Sequence, residues 1–253
     1  MFVVPRLCDL LARNLGISKT AAARLMAEER VRDLQGVAYV DRKVALDDCD
    51  DSDDCTLTAP TVVVDGEEIR LWSTALVMLH KPIGVVTALR DNIHPTAYDL
   101  MRDAPLFHEL RSAGRLDLDT SGLLLWTTEG ALIQRLTHPK RRVPRTYQAA
   151  LTGPFATPPA DLVLDDGHRP EIVELRDLAR GDAHPALIVS DAAALLATVT
   201  IVGGAYHEVR RLFAALGSHV LGLCRTKFGD YALPDDLAPG DWRQLPVPGT
   251  GAP

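Results

Sequence analysis

The spacing of apolar residues changes several times along the chain, and each spacing predicts a different element. Apolar residues with helical spacing precede Gly16, and Ser18 stands where the N-cap of a second helix is expected. Asp65-Gly66 is a typical two-residue hairpin turn. The first 71 residues therefore predict two short helices and a few strands. The strands are predicted at Val37–Val40, Val62–Val64 and Ile69–Leu71.

From about residue 75 the pattern becomes richer in strands. Tyr206–Leu216 is the clearest helix, because its apolar residues recur every three or four positions and Gly217 follows as a C-terminal cap. Strands and helices do not alternate strictly, as a parallel doubly wound sheet would require. We therefore predict an α+β fold with a mixed or antiparallel sheet. A helix is predicted at Ala131–Leu136, and strands at Val77–Leu79, Val85–Thr87, Leu123–Trp126, Arg145–Leu151, Leu195–Val202 and Val220–Arg225.

Composition narrows the class of protein. The chain has 253 residues, of which 47% are hydrophobic and 24% charged, so we expect a soluble globular protein. A net charge of −7 argues against indiscriminate binding to a polyanion, yet residues 110–147 hold 7 basic and 3 acidic residues. The four cysteines form no pair of metal-ligand spacing, which predicts reduced thiols and no structural zinc. No apolar run has the length of a membrane span and no signal peptide is recognisable, so we expect a cytoplasmic protein.

Three features suggest chemistry. Asp117 lies in a loop bounded by Gly114 and Gly122 that leads into an apolar strand, which would hold its carboxylate rigidly. The helix at 206–216 carries basic residues opposite its apolar side, and an Arg there would favour an ionised carboxylate. Tyr147 follows a basic run, an arrangement suited to stacking a flipped nucleobase. Each feature also has an ordinary structural explanation as a turn, a solvated face or a core residue.

Together these motifs resemble the pseudouridine synthases of the ribosomal small-subunit synthase A type. The matching motifs are Lys81-Pro82-x-Gly84, Ala113–Leu123, His138-Pro139-Lys140, Arg145-Thr146-Tyr147 and Tyr206–Phe213, in the expected order. The resemblance implies a catalytic domain over residues 73–247 with a mixed, mainly antiparallel sheet flanked by helices. It also implies isomerisation of uridine to pseudouridine in ribosomal RNA, with no cofactor and no metal.

The resemblance also implies roles for individual residues. Asp117 would be the catalytic carboxylate, either as a nucleophile or as a base. Tyr147 would pack against the target base, and Arg210 would be the basic partner of Asp117. The expected partner is ribosomal RNA, naked or in an assembling particle, and the expected state is a monomer. The residues expected to contact RNA are Arg115, Lys140, Arg141, Arg142, Arg145, His207, Arg211, Lys19 and Arg24.

The N-terminal region resembles the ribosomal protein S4-like RNA-binding domain. The match rests on Arg6-Leu7, Gly16-Ile17-Ser18 and Arg30-Val31, and it predicts a domain over residues 1–72. Residues 47–54 form an acidic insertion, which would repel RNA and is expected to point away from it. Residues 248–253 are expected to be a flexible tail.

Some residues depart from the family pattern, and other functions stay open. Glu208 stands where Gln is common, Ala205 replaces a basic residue and Gly203 a polar one. Asp117 and Asp119 would also suit a glycosidase, which uses two carboxylates. A large-subunit ribosomal RNA target and a non-catalytic RNA-binding assembly factor are further alternatives.

Overall fold

The computed structural model describes residues 6–41, 44 and 60–248. The acidic insertion at 47–54 and all but the first residue of the predicted tail at 248–253 lie outside these residues. Within the described ranges, no helix combines the length and the apolar character needed to cross a membrane.

The N-terminal unit consists of two helices packed on a small antiparallel sheet. The helices are α1 (Leu7–Asn14) and α2 (Lys19–Ala27), and Ser18 caps α2 by accepting a hydrogen bond from the Ala21 amide at 3.1 Å. The predicted helices and the N-cap are confirmed. The strands, in the order β1-β2-β3, are β1 (Val31–Arg32), β2 (Thr61–Val64) and β3 (Glu67–Arg70).

The strand predicted at Val37–Val40 is wrong. Ala38 forms a single bridge to Arg32, next to backbone hydrogen bonds from the Tyr39 amide to the Val31 carbonyl at 2.8 Å and from the Asp33 amide to the Val37 carbonyl at 2.9 Å. Val37 and Val40 are 64% and 58% exposed, so these apolar side chains add little packing. The contact with β1 therefore stays too short for a regular strand.

The second unit is built on a sheet in which nine described strands take part. The strand order is β12-β4-β6-β10-β7-β9-β8, with β5 beside β6 and β11 beside β10. Only β6 and β10 pair in parallel, so the mixed, mainly antiparallel sheet is confirmed. The strands are β4 (Leu76–Lys81), β5 (Arg111–Ala113), β6 (Thr120–Thr127), β7 (Pro144–Leu151), β8 (Glu171–Asp177), β9 (Leu195–Val202), β10 (Val220–Phe228), β11 (Tyr231–Ala232) and β12 (Trp242–Leu245).

Each face of this sheet has its own apolar core and helix. Helix α3 (Gly130–Thr137) contributes Leu132 and Leu136 to one core. Helix α4 (Glu208–Ala215) contributes residues such as Leu212 and Phe213 to the other. The sheet is therefore buried on both sides, which fixes the loops at its ends.

The segment Val85–Thr87 was predicted as a strand, and this prediction is wrong as well. Val86 makes one isolated bridge to Thr96 and no strand forms. The hydroxyl of Thr87 instead donates to the Leu116 carbonyl at 2.9 Å and accepts from the Leu116 amide at 3.1 Å. The segment therefore holds the residue before Asp117 in place rather than extending the sheet.

The two units meet at specific contacts. Asn14 at the end of α1 exchanges two hydrogen bonds with the Trp72 backbone, both of 2.9 Å. Arg13 forms an ion pair with Glu109 at 2.7 Å. Leu71 belongs to the N-terminal core, whereas Trp72 packs against the core of the large sheet. The chain thus changes from one core to the other between adjacent residues.

The parallel pair β6–β10 depends on a glycine. Gly122 lies opposite Arg225, and a Cβ atom at Gly122 would lie 2.4 Å from the Arg225 carbonyl oxygen. Its φ of +110° is also a conformation that side chains disfavour. Gly122 therefore lets β10 approach the strand that follows the Asp117 loop.

Candidate active site

A cavity of about 520 Å³ opens at the end of the sheet where β6 begins. Its walls come from the Asp117 loop, from β7, β9 and β10, and from the start of α4. Its lining residues are Gly114, Arg115, Leu116, Asp117, Thr120, Thr137, Arg145, Tyr147, Ile201, Gly204, Ala205, Tyr206, His207, Glu208, Val209, Arg210, Leu223 and Arg225.

Asp117 lies in the loop that leads into β6, and its side chain faces the loop that precedes α4. Its backbone carbonyl accepts from the Thr120 amide at 3.2 Å, which closes a tight turn into β6. Its carboxylate is 37% exposed and lies 3.5 Å from Nε2 of His207. The carboxylate is thus held by a rigid strand and open to a ligand in the cavity.

Lys81 supplies a buried positive charge behind this loop. Its side chain is fully buried, and Nζ donates to the carbonyl oxygens of Thr120 at 2.8 Å and Pro82 at 2.9 Å. Burial lowers the pKa of Lys81 to about 8, and the nearby carboxylates of Asp117 and Asp119 oppose part of that fall. Lys81 therefore braces the turn and places a positive charge near Asp117.

The expected pair between Arg210 and Asp117 does not form, and this prediction is wrong for the structure. Nη2 of Arg210 lies 2.9 Å from the Asp119 carboxylate and donates to the Asp119 carbonyl at 3.1 Å. Nη1 donates to the Val220 carbonyl at 3.2 Å. Arg210 extends from the first turn of α4 to the ends of the loop and of β10, so the carboxylate it meets is Asp119.

The loop before α4 is shaped by small residues and by one strained residue. Gly203 and Gly204 lead to His207, whose φ of +49° is left-handed. Such a conformation persists only where the surroundings enforce it. Here it directs the His207 ring towards Asp117, and the neighbouring Tyr206 ring stacks on it with centroids 3.9 Å apart.

Glu208 fastens this loop from inside. Its side chain is buried and accepts from the Ala205 amide at 2.9 Å. Its other oxygen lies 2.8 Å from Nε2 of His168. Glu208, which departs from the family pattern, therefore has a positioning role. It also crowds Gly203, where a Cβ atom would lie 3.0 Å from Oε2 of Glu208.

Tyr147 and Arg145 form the wall provided by β7. Tyr147 is 8% exposed and pairs in register with Val199 on one side and Arg225 on the other. The Arg145 guanidinium lies against Gly204, where a Cβ atom would be 3.2 Å from Nη1. Burial lowers the pKa of Arg145 from its ordinary value. The structure therefore brings Asp117, Tyr147, Arg145, His207 and Arg210 together around one cavity.

Comparison with known proteins identifies the family to which this chain belongs. Residues 75–215 match the family model described as RNA pseudouridylate synthase. The chain belongs to this family. Its members are isomerases, so the identification made from the motifs is confirmed.

Relatives of this pseudouridylate synthase match along nearly its whole length. The ribosomal small subunit pseudouridine synthase A of Yersinia pestis is 33% identical over 241 residues, which are 95% of this chain and 94% of the relative. The protein of the same name from Pasteurella multocida is 34% identical over 247 residues, 95% of both chains. A solved structure described as a pseudouridylate synthase is 29% identical, covers 95% of both chains and has a TM-score of 0.55.

The basic residues predicted to contact RNA are distributed unevenly in this synthase. Arg115, Arg145 and His207 line the cavity. Lys140, Arg141 and Arg142 are exposed beside the start of β7, with Arg142 paired to Glu171. Lys19 and Arg24 lie on α2 in the N-terminal unit, where they border a separate depression. Lys19 pairs with Asp9, and Arg24 pairs with Glu28.

Arg211 differs from the other basic residues. It pairs with Asp165 and Asp166 and donates to the Tyr206 carbonyl at 3.1 Å. The guanidinium lowers the pKa of Asp166 below its usual range. Arg211 is therefore occupied in joining the 165–168 loop to α4, and it does not line the cavity.

The sequence motifs did not identify two buried cations near the site. The motifs name Lys81 only as part of a turn, and the predicted strand Val220–Arg225 gives Arg225 no role beyond its last position. A signal existed for Arg225, because a charged residue that continues the run Val220–Cys224 must face either solvent or a buried acceptor. Among the described residues, no group of three or more His, Cys, Asp or Glu is placed to hold a metal ion.

Proposed function

We propose that this protein isomerises a uridine of small-subunit ribosomal RNA to pseudouridine, with Asp117 as the catalytic carboxylate. One observation carries the assignment of the site: Asp117 faces a cavity of about 520 Å³ that is lined by Tyr147, by apolar side chains and by several basic ones. The choice of small-subunit RNA is supported by the names of relatives that match 95% of the chain.

The cavity suits a base that has left its helix. Leu116, Ile201 and Leu223 provide apolar surface, and Tyr147 provides an aromatic ring beside them. A flipped nucleobase is generally held by such surfaces together with a few hydrogen bonds. The exposed cations at 140–142 lie at the start of β7, where they would meet phosphates of the same strand.

The reaction breaks the N1–C1′ glycosidic bond and joins C5 of uracil to C1′. The proton on C5 leaves and N1 gains a proton, so the product has the same atoms as the substrate. Asp117 would act on the sugar or base as a nucleophile, or remove the 2′ proton as a base. Both roles need its ionised form, and Lys81 places a positive charge nearby. Tyr147 would pack against the ring and assist loss of the C5 proton, directly or through water. The reaction is redox-neutral and transfers no group to another molecule, so it requires neither a cofactor nor a metal.

The N-terminal unit, residues 1–72, is proposed to be an S4-like RNA-binding domain. Its exposed basic residues on α2 and its fixed junction with the large sheet support this proposal. The protein would act as a monomer in the cytoplasm, on ribosomal RNA or on an assembling particle.

Two alternatives are less well supported. A glycosidase would place Asp117 and Asp119 around one sugar, but Asp119 pairs with Arg210 and does not line the cavity. A non-catalytic assembly factor would have no need of a carboxylate that opens onto such a cavity.

The test is replacement of Asp117 by Asn. We expect Asp117→Asn to abolish pseudouridine formation in a ribosomal RNA fragment while RNA affinity is retained, since only the charge is removed. Asp177→Asn, on the exposed edge strand β8, is the matched control and should retain activity. Pseudouridine formed by the Asp117→Asn protein would show that another group performs the chemistry.

Mapping pseudouridines in ribosomal RNA from cells with and without the protein identifies the substrate. The proposal expects the loss of one small-subunit site. Loss of a large-subunit site would move the assignment to the other subunit, and an unchanged map would favour the assembly factor.

A further inference from the structure

Arg225 is the most unusual charged residue of the cavity. It lies on β10, lines the cavity and is only 1% exposed. Among residues 6–41, 44 and 60–248, no carboxylate lies within ion-pair distance of it. A buried charge without a counter-ion is costly, so its retention calls for a partner that the free protein does not supply.

The hydrogen bonds of Arg225 leave one donor group unused. Nε donates to the Leu123 carbonyl at 2.9 Å, and Nη1 makes a long contact of 3.4 Å with the Arg115 carbonyl. The guanidinium carbon lies 4.9 Å from the centre of the Phe228 ring, which holds the group in place. Nη2 is buried and has no hydrogen-bond partner among the described residues. Buried donors of this kind are rare in proteins, so a ligand acceptor is the natural partner.

The position of Arg225 identifies the ligand atom. It stands directly across from Tyr147 in the β7–β10 ladder, and cross-strand partners project to the same face. A ring packed on Tyr147 would therefore lie beside the Arg225 side chain, whose Nη2 is the donor without a partner. A phosphate would remain hydrated at the rim, whereas a uracil carries the carbonyl oxygens O2 and O4 into the cavity.

We propose that Nη2 of Arg225 donates to a carbonyl oxygen of the target uracil and stabilises the negative charge that develops there. The inference rests on the proposed function. If Asp117 acts at the sugar, the electron pair of the N1–C1′ bond stays with uracil and spreads onto its carbonyl oxygens. If Asp117 adds to the ring, the charge also moves onto a carbonyl oxygen. Arg225 transfers no proton in either case, and the charge returns to the ring when C5 bonds to C1′ and loses its proton.

Such a fixed and buried donor acts mainly on the transition state. Loss of one comparable oxyanion donor lowers the rate about 100-fold to 1000-fold. We therefore expect Arg225→Gln to lower kcat by about 100-fold while the Kd for RNA changes little, because the rim cations are untouched.

The decisive test pairs this variant with substitution of single substrate atoms. RNA fragments carry uridine, 2-thiouridine or 4-thiouridine at the target position, and single-turnover rates are measured for the wild type and Arg225→Gln. Sulfur accepts hydrogen bonds poorly, so one of the two thio substitutions should slow the wild type and have much less effect in Arg225→Gln. The other thio substitution should have the same effect in both proteins. Arg176→Gln, on the exposed edge strand β8, is the matched control and should behave as the wild type.

The outcomes separate the possible explanations. Thio effects that are identical in the wild type and Arg225→Gln would overturn the proposal and leave Arg225 a structural residue that only supports the Leu123 and Arg115 carbonyls. If Arg225→Gln does not fold, Arg225→Lys retains the charge and the same comparison applies, again with a reduced thio effect expected. If the wild type forms no pseudouridine in any fragment, the proposed function itself has failed, independently of Arg225.

Discussion

The buried Lys81 should make the fold more stable as the solution becomes more alkaline. Its pKa is about 8 in the folded protein and 10.5 for an ordinary lysine, because burial disfavours the charged form. Between these two values the unfolded chain binds more protons at this site than the folded chain does. The free energy of unfolding must therefore rise as pH increases from about 8 to 10.5.

The size of the effect follows from the two pKa values. At pH 8 half of the folded molecules carry a protonated Lys81, whereas at pH 9 about a tenth do and the unfolded chain remains protonated. Integration over this interval gives a gain of about 1 kcal/mol in the free energy of unfolding. The interval also avoids most of the titration of Cys224, whose pKa burial raises to about 11 and whose contribution has the opposite sign.

The measurement is urea unfolding of the wild type and Lys81→Met at pH 8 and pH 9. Lys81→Met is expected to be less stable overall, because the Thr120 and Pro82 carbonyls lose their donor. Its stability should lack the gain of about 1 kcal/mol, and all other titrations cancel in the difference between the two proteins. Equal changes in both proteins between pH 8 and 9 would refute a depressed pKa at Lys81.

Two further predictions concern packing around the site. Gly122→Ala should lower the free energy of unfolding by about 3 kcal/mol or more, because the added methyl group meets the Arg225 backbone and the φ of this residue disfavours a side chain. Urea unfolding measures the change. A loss below about 1 kcal/mol would mean that β6 and β10 separate easily. Arg210→Ala should cost about 2 kcal/mol, because two carbonyls and a carboxylate lose their donor. Asp119→Asn should cost less than about 1 kcal/mol since Asp119 is 64% exposed, and equal losses in the two variants would contradict this assignment.

Elements with a strong local signal were predictable from sequence. Ser18 marks a helix start by its own hydrogen bond, and the residues of α4 recur with helical spacing. β9 occupies Leu195–Val202, the run that was predicted. Val37–Val40 has the same local character, but Val37 and Val40 are exposed and the segment makes only one bridge to β1, so strand propensity alone does not extend the pairing.

The candidate site was predictable as a set of residues but not as a set of contacts. The motifs bring Asp117, Tyr147 and Arg210 to one cavity. Arg210 pairs with Asp119 because of the geometry of the turn into β6 and the position of α4 beside it. The sequence motif specifies neither of these. Arg225 was missed for a related reason: its role depends on its cross-strand neighbour Tyr147, far away in the chain.

The parallel pairing of β6 and β10 also determines when the cavity can exist. Leu123 and Arg225, which it brings together, are 102 residues apart in the chain. Contacts of such long range close a large loop and generally form late in folding. During synthesis, a nascent chain that ends before β10 lacks Arg225 and the wall opposite Asp117. We therefore expect a growing polypeptide to acquire a complete cavity only after β10 has left the ribosome.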